Sequence, residues 1–371
     1  MRGTVLITGG AGFIGSHVAS ELLKAGYNVR VLDSLVTQVH GNKPHRPSYL
    51  DKNAEFILGD VRNPQILDHA LSGVDAVYHF VALVGVGQSM YQVSEYTSVN
   101  NVGTAVLLER LLKHSVSKLI VASSMSVYGE GLYKTPDGKP YDSAMRTTTQ
   151  LKAHEWDIKT ADGRPLQPVA TPESKQPSLA SIYALSKYDQ ERMCLILGRA
   201  YGIPTVALRF FNAYGPYQSL SNPYTGVLSI FASRLLNGQR PIIFEDGQQL
   251  RDFVSVYDVA QACRLALEVD AARDMVFNVA SGETVCIKEV AVRLAKVLGK
   301  DIAPDITANY RVGDIRHCFP DISLARRVLG YEPKIRLREG MSDLAEWLER
   351  QTARDRFNEM RDELASRGLM V

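Results

Sequence analysis

Apolar positions along this chain fall into two alternating rhythms. Short runs in which nearly every residue is apolar or β-branched begin at Thr4 (TVLIT), Asn28 (NVRVLD), Glu55 (EFILGD), Ala76 (AVYHFVA), Lys118 (KLIVASS) and Thr205 (TVALRFF). Between them lie stretches such as GSHVASELLKAG, NVGTAVLLERLLKH and ALSKYDQERMCLILGRAYG, whose apolar residues recur at helical spacing. Runs that are apolar throughout read as strands buried on both faces, and the helical spacing as amphipathic helices. This alternation predicts an α/β fold, a doubly wound parallel sheet of the Rossmann kind covered by helices on both sides.

The pattern assigns that sheet to residues 1–213. A polar segment at about 130–177 interrupts it, with TPDGKP and TPESKQP as turn signals. A segment this long carries function or some structure of its own. Beyond Tyr214 the alternation weakens into PIIFEDG, RDFVSVYDVAQACRLAL and CIKEVAVRLAKVLG. These predict a smaller mixed α/β lobe over 214–340, with parts of the C-terminal half returning to the first domain. Residues 341–371 read as one charged, solvated helix.

Charge narrows the partners. Lys and Arg number 42 against 40 Asp and Glu, a formal net charge of +2, which offers no basic footprint for nucleic acid or an anionic membrane. The start, MRGTVLITGG, lacks the apolar core of a signal peptide, and no run approaches the roughly 18 apolar residues of a membrane span. A cytoplasmic location is therefore expected. Cys194, Cys263, Cys286 and Cys318 are scattered without ligand spacing, which argues for reduced thiols and no metal site.

Directly after the first strand comes GGAGFIGSH, with Gly9, Gly12 and Gly15 opening a helix. Glycines allow a tight turn and a close approach to a pyrophosphate, and the helix N-terminus presents free N–H groups to it. Asp33 closes the second strand, about 20 residues on, where an acid accepts hydrogen bonds from the adenosine ribose. It would repel a 2′-phosphate, so the cofactor expected is NAD. Downstream, SIYALSKYDQE sets Tyr183 and Lys187 one helical turn apart. A free phenol has a pKa of about 10; a neighbouring ammonium and a positive nicotinamide lower it and make a general base. Ser124, in SSMSVYG at the end of the fifth strand, is placed to hold a substrate oxygen against it.

The motifs TGGAGFIGSH, GDVRN, YHFVAL, NNVGT, SSMSVYG, YALSKYDQE, LRFFNAYGP, LRDFVSVYDVA and GDIRHCFPD together resemble the extended short-chain dehydrogenase/reductases of the nucleotide-sugar epimerase and dehydratase family. The likeness runs from about Thr4 to Pro333. It implies Gly9, Gly12, Phe13, Ile14 and Gly15 on the cofactor pyrophosphate, Asp33 on its ribose, and Asp60 and Val61 on adenine. Phe80, Val81, Ala82 and Asn100 would line the nicotinamide half, and Phe211 would also touch the cofactor. Ser124, Tyr183 and Lys187 match the catalytic triad, the last two also touching cofactor. Asn212, Arg251 and Arg316 would hold the sugar-nucleotide pyrophosphate, with Phe244 beside the base and Ser126 beside the sugar. A homodimer through the helices NVGTAVLLERLLKH and ALSKYDQERMCLILG is a further expectation.

Dehydratases of this family resemble one another in an Asp-Glu pair directly after the catalytic hydroxyl residue, and the decarboxylases in a Glu at the Ser126 position. Here Met125 and Ser126 stand there, and neither serves as an acid or base near neutral pH. The resemblance therefore implies an NAD-dependent epimerase, inverting C4 of a nucleotide-diphosphate sugar through a transient 4-ketosugar. VGVGQSMYQ, SSMSVYGEGLY and GDIRHCFPDISLAR are most similar to the branch that acts on dTDP-L-rhamnose. Open beside it stand a nucleotide-sugar 4-ketoreductase, a UDP-glucose or UDP-glucuronate 4-epimerase, and a non-catalytic nucleotide-binding regulator. The intact Ser124, Tyr183 and Lys187 count against the regulator. The 130–177 segment, lying between Ser124 and Tyr183, reads equally as a cap on the sugar pocket, an oligomer contact or a plain surface insertion.

Overall fold

Seven parallel strands form the central sheet: β1 (Arg2–Thr8), β2 (Tyr27–Asp33), β3 (Glu55–Leu58), β4 (Ala76–His79), β5 (Lys118–Ser124), β6 (Thr205–Phe210) and β7 (Met275–Val279). Their order is β7-β6-β5-β4-β1-β2-β3. The computed structural model describes residues 2–42, 45–311 and 313–370. The first six strands lie where the apolar runs predict them, and β7 is the return from the C-terminal half.

Flanking helices are α1 (Phe13–Lys24), α2 (Pro64–Leu71), α3 (Gly103–Leu111), α4 (Ile182–Tyr201) and α5 (Val256–Glu268). Successive strand residues point to opposite faces, and the two layers follow from that. Val5 and Ile7 pack in one cluster with Val18 and Leu22 of α1 and Val259 and Cys263 of α5. Leu6, Val77 and Leu119 pack in the other with Leu71 of α2, Leu107 of α3 and Leu195 of α4. The strand order reverses between β1 and β4, which opens a crevice at the carboxyl ends of those strands. Every predicted chemical group on the first domain sits at this edge.

The 130–177 segment has its own antiparallel sheet, Leu132–Lys134, Pro140–Tyr141 and Gln167–Val169, over a small core of Tyr133, Ala144, Ile158 and Leu166. The second lobe pairs Asn212–Tyr214, Leu250–Ser255 and Thr284–Cys286, with Phe253 and Val285 packed against helices Val227–Leu236, Ile287–Val297 and Leu337–Leu348.

Residues 341–371 do not form one solvated helix. Leu337–Leu348 ends, and a second helix runs over Phe357–Ser366. Each buries an apolar stripe, Leu344 and Leu348 in the first, Phe357, Met360 and Leu364 in the second. The outward charges mask these stripes in the sequence. The second helix spans two parts of the molecule, packing on Tyr91 and Tyr224 and on Ile242 and Phe244; a Cβ on Gly87 would stand 3.1 Å from Leu364.

Candidate active site

β1 runs out at Thr8 and the chain turns through Gly9, at φ +71°, into α1. A Cβ on Gly9 would stand 2.8 Å from the backbone nitrogen of Val81, and one on Gly15 2.5 Å from the Gly9 carbonyl. Only glycine fits either place. Among the described residues no side chain caps α1 at Gly12, so the N–H groups of Phe13 and Ile14 face the crevice without a side-chain acceptor. Asp33 is buried at the end of β2. Its carboxylate accepts from Ala11 N (3.1 Å) and Leu35 N (2.9 Å), and His40 lies 3.8 Å away. Burial pushes this carboxyl above its usual range, while those N–H groups and His40 pull it back. Glycine cradle, open helix end and buried acid together fit NAD.

Along the same edge the side chains divide their work. Asp60 is held by Arg62 at 2.6 Å, which keeps it below the usual carboxylate range. Val61 is buried, and a Cβ on Gly103 would stand 2.6 Å from it. Phe80 N donates to Thr8 O at 3.0 Å, which lays Phe80, Val81 and Ala82 beside the glycine turn. Asn100 lies in a π-helical turn, Thr97–Val102, and is fully buried. It accepts from Leu83 N (2.7 Å) and donates to Leu83 O (3.2 Å) and Ser186 Oγ (2.9 Å), so it braces the wall from behind. Phe211 packs with Met125, Tyr128 and Cys318, next to Ser124, and Phe210 lies edge-on to Phe80 with ring centroids 6.0 Å apart.

The chemistry gathers where β5 meets α4. β5 ends in Ser124, which caps a single turn of 3₁₀ helix, Met125–Tyr128. α4 starts at Ser181, whose hydroxyl accepts from Ala184 N at 3.1 Å, and that cap brings Tyr183 into the first turn; Tyr183 N donates to Ser89 Oγ at 3.0 Å. Burial raises the Tyr183 phenol above its ordinary value, and the Ser124 hydroxyl beside it acts the other way. Lys187, one turn on, is buried. Burial lowers its ammonium to about 7, against Cys194 and Glu191, which raise it. Ser126 Oγ lies 2.9 Å from Ser124 Oγ, and Met125 Sδ 3.4 Å from Asn212 Nδ2. Ser124, Ser126, Tyr183 and Asn212 thus gather at the end of β5, with Lys187 one turn along α4 from Tyr183, and no carboxylate follows Ser124.

The second-lobe residues depart from expectation. Arg251 donates to the carbonyls of Leu250 (2.8 Å), Arg316 (3.1 Å) and Ile315. Arg316 is 2% exposed and sits among Asp157 (2.9 Å), Glu245 (3.1 Å) and Asp246 (2.8 Å). Three carboxylates already satisfy it, so it staples the 130–177 segment to the second lobe and does not face a pyrophosphate. Arg311, absent from the sequence reading, lies with its guanidinium 4.8 Å from the Phe244 ring centroid and pairs with Asp314 at 2.9 Å. Its signal was its place in the same run, YRVGDIRH, five residues before Arg316.

The glycine turn, the buried Asp33 and the Ser124–Tyr183 pair on a parallel sheet fit a dinucleotide-dependent enzyme. Residues 5–154 and 160–280 match the NAD dependent epimerase/dehydratase family, and the chain belongs to that family. It is 34% identical to the dTDP-L-rhamnose 4-epimerase of Burkholderia thailandensis over 94% of this chain and 96% of that protein. With the UDP-glucose 4-epimerase of Halalkalibacterium halodurans it shares 32% identity, over 89% and 90%. The crystal structure of Thermotoga maritima UDP-glucose 4-epimerase with UDP-glucose superposes with a TM-score of 0.75 at 30% identity, covering 93% of this chain and 98% of that one. Within that family its relatives include NAD-dependent nucleotide-sugar 4-epimerases, which are isomerases. Among the described residues no helix is long and apolar enough to cross a membrane.

Proposed function

We propose that this enzyme inverts C4 of a nucleotide-diphosphate 6-deoxyhexose, with dTDP-L-rhamnose as its substrate. The observation that carries the reaction type is the Met125–Ser126 pair beside Ser124 and Tyr183, which supplies an oxidation site with no acid for elimination. The choice of sugar is supported by the likeness to the Burkholderia thailandensis enzyme. UDP-sugar epimerases are almost as similar, so UDP-glucose and UDP-glucuronate are the alternatives.

NAD, when bound, supplies the acceptor and donor of the hydride. Gly9, Gly12, Phe13, Ile14 and Gly15 would hold its pyrophosphate, Asp33 its adenosine ribose, and Lys187 with Tyr183 its nicotinamide side. Tyr183 takes the C4 hydroxyl proton as the general base, and Ser124 steadies the same oxygen as it becomes a carbonyl. Arg311, with Asn212, holds the nucleotide end while the ketosugar turns its other face. Guanidinium groups suit that task through paired N–H donors. Tyr183 then returns the proton. Binding energy remote from C4 keeps the freely turning sugar in place.

We propose a homodimer as well. Val102, Leu112, Leu185 and Ile196, on or beside α3 and α4, expose between 42% and 59% of their surface, an apolar face that a second copy would cover. Sedimentation equilibrium tests it, and a monomer would overturn it.

The function is tested by incubating the protein with dTDP-L-rhamnose, UDP-glucose and UDP-glucuronate, with and without added NAD, and following the sugar by NMR. A C4 epimer from dTDP-L-rhamnose, formed without net oxidation or reduction, is the expected result. Epimerisation of a UDP-sugar alone would reassign the substrate. Turnover only of a ketosugar with added NAD(P)H would replace the epimerase by a reductase.

A further inference from the structure

Behind the catalytic edge lies a chain of buried polar groups that the mechanism does not use. Lys187 Nζ donates to Gln190 Oε1 at 2.7 Å; among the described residues this is the one hydrogen-bond acceptor that reaches it. Gln190 Nε2 meets Thr104 Oγ1 (2.9 Å) and Val81 O (3.1 Å). His79 Nε2 lies 2.8 Å from the same Thr104 oxygen, and its Nδ1 lies 2.8 Å from Thr8 Oγ1. Thr8, His79, Thr104 and Gln190 all have zero exposure.

Proton counting gives this network a single direction. Thr104 spends its hydroxyl hydrogen on the Asn100 carbonyl. Its oxygen must therefore accept from both His79 and Gln190. His79 then carries its hydrogen on Nε2 and accepts from Thr8 at Nδ1. Burial, with the charge of Lys187 second, holds His79 near 3, so the ring is neutral. Both amide hydrogens of Gln190 are committed, to Thr104 and Val81. A flipped amide would set its oxygen against the Val81 carbonyl and its N–H groups against an ammonium. The Gln190 carbonyl can only face Lys187.

We propose that Gln190 is a positioning residue, its amide locked by Thr104, His79 and Thr8, which holds the Lys187 ammonium in place and charged beside Tyr183. This rests on the reading of Tyr183 as the base. A buried ammonium without an acceptor sheds its proton, and a phenolate at Tyr183 would then have no positive charge one helical turn away to favour it. The other titratable groups facing Lys187 are His79 on β4 and Glu191 and Cys194 on its own helix. Glu191 is already paired to Arg209 at 2.7 Å. Tyr96 faces Tyr183.

The test titrates the NAD-loaded protein and reads the near-ultraviolet phenolate signal that disappears in Tyr183→Phe. Gln190→Met, which keeps side-chain length, should raise the Tyr183 midpoint by about one pH unit, a tenfold loss of phenolate below it. In a Lys187→Met background the same substitution should shift nothing, because Gln190 acts only through Lys187. Thr104→Val, remote from Tyr183, should shift the wild-type midpoint in the same direction by less, and it serves if Gln190→Met fails to fold. An unmoved midpoint, or an equal shift in the Lys187→Met background, would overturn the role of Gln190 alone. No Tyr183-dependent signal in the wild type would overturn the base assignment with it.

Discussion

Ser126 sets its backbone N–H 3.1 Å and its hydroxyl 2.9 Å from Ser124 Oγ. Two donors on one oxygen leave the Ser124 hydrogen to point outward, toward Tyr183 and the sugar. Ser126→Ala removes one of them, worth about 1 kcal/mol, and kcat should fall roughly fivefold with KM little changed. Ser124→Ala removes the outward donor itself and should cost about 10²-fold. Steady-state kinetics separate the two, and equal losses would refute the arrangement.

Replacing Tyr183 by Phe keeps the ring and removes the proton carrier. Turnover should drop by about 10²–10⁴-fold, the range of positioned acid–base catalysis, while NAD content after purification stays at the wild-type level. Undiminished turnover would remove Tyr183 as the base.

Lys187 has its folded-state pKa lowered to about 7 by burial. Below that value the native state holds a buried charge, and the desolvation cost is at its largest. As pH rises from about 7 toward the ordinary lysine value, the unfolded chain binds more protons than the native one, so native stability climbs. Lys187→Met should therefore stabilise the protein without cofactor at pH 6, by about 1–3 kcal/mol, and the gain should shrink by pH 9. Urea melts at the two values check the sign.

Arg316 and Arg311 should separate stability from binding. Arg316→Met leaves buried Glu245 with Arg146 as its remaining cation, while Asp157 and Asp246, at 69% and 36% side-chain exposure, turn to solvent; the loss should be about 1–3 kcal/mol. Arg311→Ala should leave the melting temperature nearly unchanged and raise KM for the nucleotide sugar about tenfold. The reverse pattern would return the diphosphate to Arg316.

What could be read from the chain beforehand was local. The glycine turn, Asp33 at a strand end and the Tyr183–Lys187 turn each depend on residues a few positions apart, so spacing alone places them. Arg316 failed because its partners come from residues 157, 245 and 246, which no local pattern joins to it. Asn100 was legible as important but not as a brace, since its backbone partners at Leu83 appear only once the π-helical turn is folded. β7 is five residues long, MVFNV, too short to stand out in a stretch of weakened alternation.

The helix Phe357–Ser366 follows every catalytic residue in the chain. A ribosome therefore delivers the complete sheet, with Ser124, Tyr183 and Lys187, before it delivers the piece that joins Tyr91 to Phe244 across the two lobes. The link leading into that helix carries Arg350 and Arg354, with side chains 79% and 77% exposed. Both are open to trypsin. A molecule nicked at this link would keep its whole chemical apparatus and lose the strap between its halves.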